Sequence, residues 1–309
     1  MRKRLQNRIA ESRLALPTMA VIATVVWLLA GAAEHGWWLQ WLCFATCCYL
    51  MVMLNNIHAL IRIYSRMVSC VFMALMCTAC FLFPSLPGAV MQLCTIAFLL
   101  MWFTIYQDRN ASGRCYYAFL ALGLASVPFV QILWLLPLLW ILTLTNLMAL
   151  SWRTWVASVL GVLTPYWFWL CWQLHQGDLT PLGNHLAGLL PDITFALPDL
   201  LVPHLLSMVL ATVLIIMGTM HFLHKSFGDK IRIRMFYYSF MWLGLAGMLY
   251  TLLLPEKYDM SFRLMVVCAA PLAGHFIALT NTKITNITFL VLTAVTLAVT
   301  LLNIGLWTS

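Results

Sequence analysis

Charged residues are scarce in this chain: Asp, Glu, Lys and Arg make up 8% of its 309 residues. In a soluble domain roughly a quarter of the residues are charged, because the surface faces water. The scarcity excludes an ordinary soluble globular protein. Hydrophobic residues make up 63% of the chain instead, in runs close to the roughly 20 residues that an α-helix needs to cross a bilayer. The composition therefore predicts an all-α integral membrane protein.

We predict about eleven transmembrane helices (about ten to twelve) in a single polytopic membrane domain, residues 1–309. The count rests on the apolar runs and on the short polar stretches between them. The predicted spans lie near residues 14–33, 37–57, 67–83, 89–106, 116–127, 130–150, 155–174, 202–222, 235–254, 262–280 and 284–306.

The number of spans depends on residues 116–150, which are too long for one span and short for two, with Pro128 in the middle. They form either a tight hairpin or one long kinked helix. Short cytoplasmic loops are rich in Lys and Arg. A hairpin places 15 of the 17 basic residues on one side of the membrane and leaves only Lys257 and Arg263 on the other. The charge pattern favours the hairpin.

With the hairpin, the amino terminus is cytoplasmic, the carboxyl terminus is outside, and one sizeable outer loop covers about residues 175–201. The amino-terminal pattern, five basic residues before an apolar run, also fits a secretory signal peptide with a cleavage site at Ala30–Ala32. We favour an uncleaved anchor because further apolar runs follow. Cleavage would leave the rest of the topology unchanged.

A net charge of +8 could indicate a nucleic-acid-binding protein. The basic residues, however, lie between the apolar runs, as topology signals do, and are not gathered on one soluble face. We therefore expect the lipid bilayer as a partner and no nucleic acid. The sequence identifies neither a protein partner nor a cofactor.

Three stretches carry a resemblance: "LNNIHALIR" (54–62), "LGLASVPFVQILWLLPLLW" (122–140) and "SWRTWVASVLGVLTPYWF" (151–168). Together, roughly over residues 54–168, they resemble an uncharacterised family of polytopic bacterial inner-membrane proteins, a domain of unknown function. An acidic residue often follows the Trp-Arg pair in that family, whereas Thr154 follows it here. The resemblance implies a multi-pass protein of the bacterial inner (plasma) membrane and implies no particular activity.

The same stretches have a physical interpretation as packing elements. Trp152 and Trp155 flank Arg153, which is typical of an aromatic belt at the membrane interface. Gly123 and Gly161 leave room for the close approach of a neighbouring helix. We predict that these glycines lie in a helix–helix contact.

The candidate functional site is a set of polar residues predicted to lie at the outer face. Its core is the proline-rich loop that begins at His175 and ends at His204, because that stretch holds three of the nine acidic residues of the chain. The candidate catalytic residues are Asp178, Asp192, His185 and His204, and the candidate substrate-binding residues are Glu34, Arg263 and Asp199.

Such groups suit an enzyme that acts on a polyprenyl-linked or other lipid-linked glycan at the outer leaflet, in the manner of a glycosyltransferase or polymerase. Asp178 or Asp192 would be the base for an acceptor hydroxyl, assisted by a histidine, and Arg263 would bind phosphate. The alternatives are a loop that is merely solvated and a non-enzymatic protein, either a transporter or a structural subunit of an envelope complex. No predicted span has Asp or Glu at its centre, which weakens a proton-coupled transporter.

Two further hypotheses rest on weaker patterns. Cys77 and Cys80 form "CTAC", as thiol oxidoreductases do, but membrane helices often contain cysteine as a small hydrophobic residue. Met217, Met220 and His221 share a helix face, a set that suits copper(I), although methionine is also an ordinary core residue. We predict no metal site from these patterns.

His275 is the deepest ionisable residue in any predicted span. An ionisable residue inside a membrane is by default a candidate for function. A neutral imidazole hydrogen-bonded to a helix backbone is the alternative, and the sequence does not separate the two.

Overall fold

The structure is a computed structural model that describes residues 4–190 and 202–308. These residues form thirteen α-helices and short 3-10 turns, with no β-strand among them. The helices are α1 (Leu5–Ala10), α2 (Ala15–Leu29), α3 (Trp38–His58), α4 (Met67–Cys77), α5 (Leu86–Trp102), α6 (Ser112–Ser126), α7 (Leu136–Thr145), α8 (Trp152–Gln176), α9 (Thr180–Ala187), α10 (Val202–Lys225), α11 (Ile231–Leu253), α12 (Tyr258–Leu279) and α13 (Lys283–Thr308). The 3-10 turns are Cys80–Leu82, Phe103–Ile105, Val130–Leu135, Ser226–Gly228 and Pro255–Lys257.

Within the described residues, seven helical segments are long and apolar enough to cross a membrane. The protein is therefore an all-helical, multi-pass membrane protein. The seven segments are Trp38–His58, Leu86–Ile105, Trp152–Gln176, Val202–Gly228, Ile231–Leu253, Pro255–Leu279 and Lys283–Trp307.

A helical segment lies at every one of the predicted spans, but at four of the spans the helix is short for a membrane crossing. Among these, α4 has 11 residues, and α2 and α6 have 15 each. At 1.5 Å per residue these helices extend roughly 16–23 Å, which is less than the roughly 30 Å of a bilayer core. The predicted count of eleven spans therefore goes beyond what helix length establishes.

The chain divides into two compact units. Unit 1 contains the described residues of Met1–Leu86 and Phe195–Ser309, and unit 2 contains those of Pro87–Thr194.

Helix α12 is the core of unit 1, with almost all of its length buried. Glycines at three contacts let the surrounding helices approach it closely. A Cβ atom at Gly218 of α10 would lie 2.6 Å from the backbone of Leu272, and one at Gly247 of α11 would lie 3.3 Å from Met265. Gly274 of α12 itself leaves room for the start of α4. Small residues at such crossings are typical of membrane helix packing.

Basic residues gather at one end of unit 1, which we call the basic end: Arg62, Arg66, Lys225, Lys230, Arg232, Arg234 and Lys283. Long-range contacts join the helix termini there. Arg62 donates a hydrogen bond to the carbonyl of Gly228 (3.2 Å), and the Gln6 amide donates to the Thr280 hydroxyl (2.6 Å). At the other end, Asn303 and Ser207 both donate to the carbonyl of Thr78.

Unit 2 is built on the pairing of α6 with α8. A Cβ atom at Gly161 would lie 2.6 Å from the carbonyl oxygen of Tyr116, and one at Gly123 would lie 2.8 Å from that of Val162. The prediction that these two glycines lie in a helix–helix contact is confirmed.

The chain of unit 2 reverses direction after α6. Ser126, at the end of α6, contacts Tyr166 of α8, whereas Leu147, just after α7, accepts a hydrogen bond from the backbone of Gln107 before α6 begins. The end of α7 thus returns to the level at which α6 starts. Residues 116–150 do not form one continuous helix.

Thr154 has a structural role at the start of α8. Its hydroxyl accepts a hydrogen bond from the backbone N–H of Ser151 (2.7 Å), and its own N–H donates to the Ser151 hydroxyl. This is a capping box, in which Thr154 occupies the position usually held by Glu or Gln.

Candidate functional site

The predicted outer-face residues divide between the two units. Asp178 and His185 belong to unit 2, and Glu34, His204 and Arg263 belong to unit 1. Asp192 and Asp199 lie outside the described residues. The catalytic and binding roles assigned to all seven remain predictions.

Asp178 is exposed and stabilises the start of α9. Its carboxylate accepts hydrogen bonds from the backbone N–H (2.9 Å) and the hydroxyl of Thr180. These hydrogen bonds favour the ionised form and so lower the pKa of Asp178. The carboxylate is therefore a weaker base than an ordinary aspartate.

His185 lies on α9, the one short helix that the structure describes between α8 and α10. Its ring packs edge-on against Trp169 (5.0 Å between ring centroids), and its Nε2 lies 3.4 Å from the Tyr166 hydroxyl. Partial burial disfavours the charged imidazolium and lowers the pKa of His185 below 6.5. Burial therefore favours the neutral form of the ring.

A chain of hydrogen bonds leads from His185 into the contact between α6 and α8. The Ser126 hydroxyl donates to the carbonyl of Gly123 (2.6 Å), so it accepts from the Tyr166 hydroxyl (2.7 Å). The Tyr166 hydroxyl lies 3.4 Å from Nε2 of His185, and the backbone carbonyl of Ser126 also forms a hydrogen bond with that ring.

An apolar groove of about 530 Å³ lies beside this chain. Leu182, Leu186 and Leu189, from α9 and the residues after it, form one wall, and the hydroxyl-bearing ring of Tyr166 forms part of another. The remaining lining residues come from α8, α7 and the turn before α7: Leu133, Leu136, Trp140, Val159, Val162, Leu163, Trp167 and Leu170. The groove is thus apolar along its length and adjoins hydrogen-bonding groups.

Two residues hold α9 over this groove. Gln131 donates a side-chain hydrogen bond to the carbonyl of Gly188 (2.8 Å), and the Trp134 indole donates to that of Leu189 (3.0 Å). The Gln173 side chain accepts from the backbone of Leu182. The groove therefore depends on how residues 180–190 fold, which sequence analysis did not predict.

In unit 1, Arg263 and His204 lie in packed surroundings. Arg263 is 2% exposed and donates to the carbonyl of Leu82. The His204 ring packs on Phe81 (4.0 Å between centroids), and its backbone carbonyl accepts from the Tyr258 hydroxyl. Glu34 is exposed in the turn between α2 and α3.

The thiol and copper hypotheses gain no geometric support. Cys77 and Cys80 are 2% and 1% exposed, so a partner dithiol could not reach them. Among the described residues, no group of three or more His, Cys, Asp or Glu side chains is arranged to hold a metal ion.

The structure pairs His275 with a carboxylate that sequence reasoning missed. Nε2 of His275 lies 3.0 Å from Oδ2 of Asp229, and both side chains are almost completely buried. Asp229 follows the 3-10 turn after α10 and is the only acidic residue in the loop "HKSFGDKIRIR". Its place as a single acid in a basic loop marked Asp229 as unusual. The sequence could not identify His275 as its partner, because several basic residues lie much closer in the chain.

Comparison of the chain with family models, curated proteins and solved structures finds no match.

Proposed function

We propose that this protein binds a lipid-linked substrate, with the apolar chain in the groove of unit 2 and the polar head group beside His185. The setting is a bacterial inner membrane that the chain crosses eleven times, with the amino terminus in the cytoplasm and His185 at the outer face. The proposed substrate class is a polyprenyl- or lipid-linked glycan.

The groove carries this proposal. Ligand sites are mostly apolar clefts of about 300–1,000 Å³ with a few well-placed polar groups. A cleft whose walls are apolar, and whose one hydroxyl-bearing lining residue, Tyr166, is hydrogen-bonded to Ser126 and His185, is complementary to an amphipathic molecule. An ordinary solvated loop would have no reason to hold three leucines over such a cleft.

The chemistry at the rim suits glycosyl transfer. A general base must be unprotonated at the working pH and must have an acceptor atom available. His185 meets both conditions because partial burial lowers its pKa and so favours the neutral ring, and a neutral imidazole has one acceptor nitrogen. His185 is therefore our candidate for the base that accepts the proton of an acceptor hydroxyl, with Tyr166 holding the ring in position.

The test is quantification of lipids that co-purify with the protein, by mass spectrometry after gentle extraction. Two leucines of α8 provide a matched pair, because Leu163 and Leu160 are equally exposed (53%) but only Leu163 lines the groove. We expect Leu163→Trp to lower retained polyprenyl phosphate several-fold and Leu160→Trp to leave it unchanged.

A protein without any retained isoprenoid, or with equal retention in the two variants, would contradict the proposal. If such a preparation contained a stoichiometric partner chain, the non-enzymatic alternative, a structural subunit of an envelope complex, would take its place.

A further inference from the structure

A second cavity, of about 280 Å³, lies at the basic end of unit 1. Its lining includes the buried pair His275 and Asp229 and the cationic side chains of Arg62 and Lys225. The other lining residues are His224, Phe227, Gly228 and Leu279. It belongs to unit 1 alone, so nothing about it rests on the groove of unit 2.

The fixed charges around this cavity favour an anion. Arg62 and Lys225 are cationic side chains, and Asp229, the one lining carboxylate among the described residues, already contacts His275. Arg62 uses one of its five N–H donors on the carbonyl of Gly228, which orients the guanidinium along the cavity wall.

The buried pair also has hydrogen-bonding capacity that the protein leaves unused. Oδ1 of Asp229 and Nδ1 of His275 are buried and have no hydrogen-bond partner among the residues that the structure describes. Buried polar atoms in native proteins nearly always have a partner, so such an atom needs an explanation such as a bound molecule. Two unsatisfied atoms that belong to side chains lining one cavity point to a ligand with acceptor and donor groups of its own.

We propose that this cavity binds a phosphate group. Arg62 and Lys225 contact its anionic oxygens, and the His275–Asp229 pair satisfies its remaining hydrogen-bonding groups, with Asp229 accepting from a P–OH or from a neighbouring hydroxyl. Arginine and lysine are the usual partners of phosphate oxygens. The phosphate belongs either to a small soluble molecule or to the head group of a phospholipid.

The experiment measures binding to the full-length protein in detergent, with two probes. Inorganic phosphate is titrated while the thermal unfolding midpoint is followed, and phosphatidylglycerol binding is counted by native mass spectrometry. A rise in the midpoint with phosphate identifies a soluble ligand, whereas phosphatidylglycerol binding alone identifies a head group. Either result supports the site, and a wild-type protein that responds to neither probe overturns it.

Matched substitutions separate this site from general attraction to a basic surface. Lys225→Gln and Arg62→Gln each remove a lining cation, and we expect each to weaken binding about tenfold, the loss of one charged hydrogen bond. Lys230→Gln and Arg66→Gln remove neighbouring cations that do not line the cavity. We expect these to change binding by less than about twofold. Equal effects in the two pairs would overturn the proposal.

A third variant keeps every charge. A Cβ atom at Gly228 would lie 2.5 Å from Nη1 of Arg62, so Gly228→Ala must displace the guanidinium without disturbing the core. We expect weaker binding with an unchanged unfolding midpoint in the absence of ligand. Unchanged binding in this variant would exclude Arg62 as a direct ligand.

Discussion

The two units solve the problem of polar groups in an apolar protein differently. Unit 1 buries an ionisable pair, His275 and Asp229, almost completely, next to cationic side chains at its basic end. Unit 2 has an uncharged chain of Ser126, Tyr166 and a half-buried His185 beside an apolar groove. A buried charge requires a charged partner, whereas buried neutral groups require only hydrogen-bond donors and acceptors that match one another. The first arrangement is suited to a small anion and the second to an amphipathic chain.

Removal of one member of the buried pair has the largest expected effect. We expect His275→Leu to destabilise the protein by about 3 kcal/mol, because the Asp229 carboxylate would stay buried without its partner. The double variant His275→Leu/Asp229→Leu should recover most of this loss. Thermal unfolding of the purified proteins measures both. A single variant no less stable than the double would show that the pair is not ionic, and the contrast between the units would disappear.

Close helix packing should matter equally in both units. Gly161→Ala in unit 2 and Gly218→Ala in unit 1 both place a Cβ atom 2.6 Å from backbone atoms of the facing helix. We expect each to lower stability by about 1–3 kcal/mol through overpacking. Gly113→Ala is the control, since nothing lies within 4 Å of its added atom. If only one of the two glycines is sensitive, the units differ in packing as well as in chemistry.

Removal of one hydrogen bond from the Ser126–Tyr166–His185 chain of unit 2 should lower stability less than loss of the buried His275–Asp229 pair. Tyr166→Phe removes one hydroxyl, while Ser126 keeps its bond to Gly123. We expect a loss of about 1 kcal/mol in the free energy of unfolding, the usual contribution of one hydrogen bond. Denaturation of this variant beside His275→Leu gives the comparison directly. An equal loss in both would mean that burial matters more than charge.

The smallest effect is a pH dependence carried by His185. Its pKa is lower in the folded protein than in the unfolded chain, so the unfolded chain binds more protons as the pH falls below about 6.5. Stability should therefore be highest above that pH and should decline as the pH falls further. We expect the stability of His185→Gln to fall less than that of the wild type as the pH is lowered, in unfolding curves recorded between about pH 7.5 and 5. Parallel curves for the two proteins would contradict the assignment.

Prediction from the sequence worked best where a property of a single residue, such as its size or its depth in a span, was sufficient. Gly123 and Gly161 could be assigned to a helix contact from their size alone, and the structure places both in the contact between α6 and α8. His275 could be singled out by its depth. Its partner could not, because Asp229 is 46 residues away and enters the core only through the folding of the loop after α10.

The outer-face site shows the limit most clearly. Composition and charge grouped Asp178, His185, His204 and Arg263 as one polar set, since all were expected in outer loops or at outer helix ends. The structure assigns two of them to each unit and gives His185 partners, Tyr166 and Ser126, that no motif had indicated.

The sequence by itself determined the class of this protein and the approximate positions of its long apolar helices, because hydropathy is a property of each segment and a bilayer sets the length that a spanning segment needs. Only the tertiary structure decided which polar groups meet. That choice depends on which helix faces approach one another, and small residues such as Gly161 and Gly218 permit the close approach.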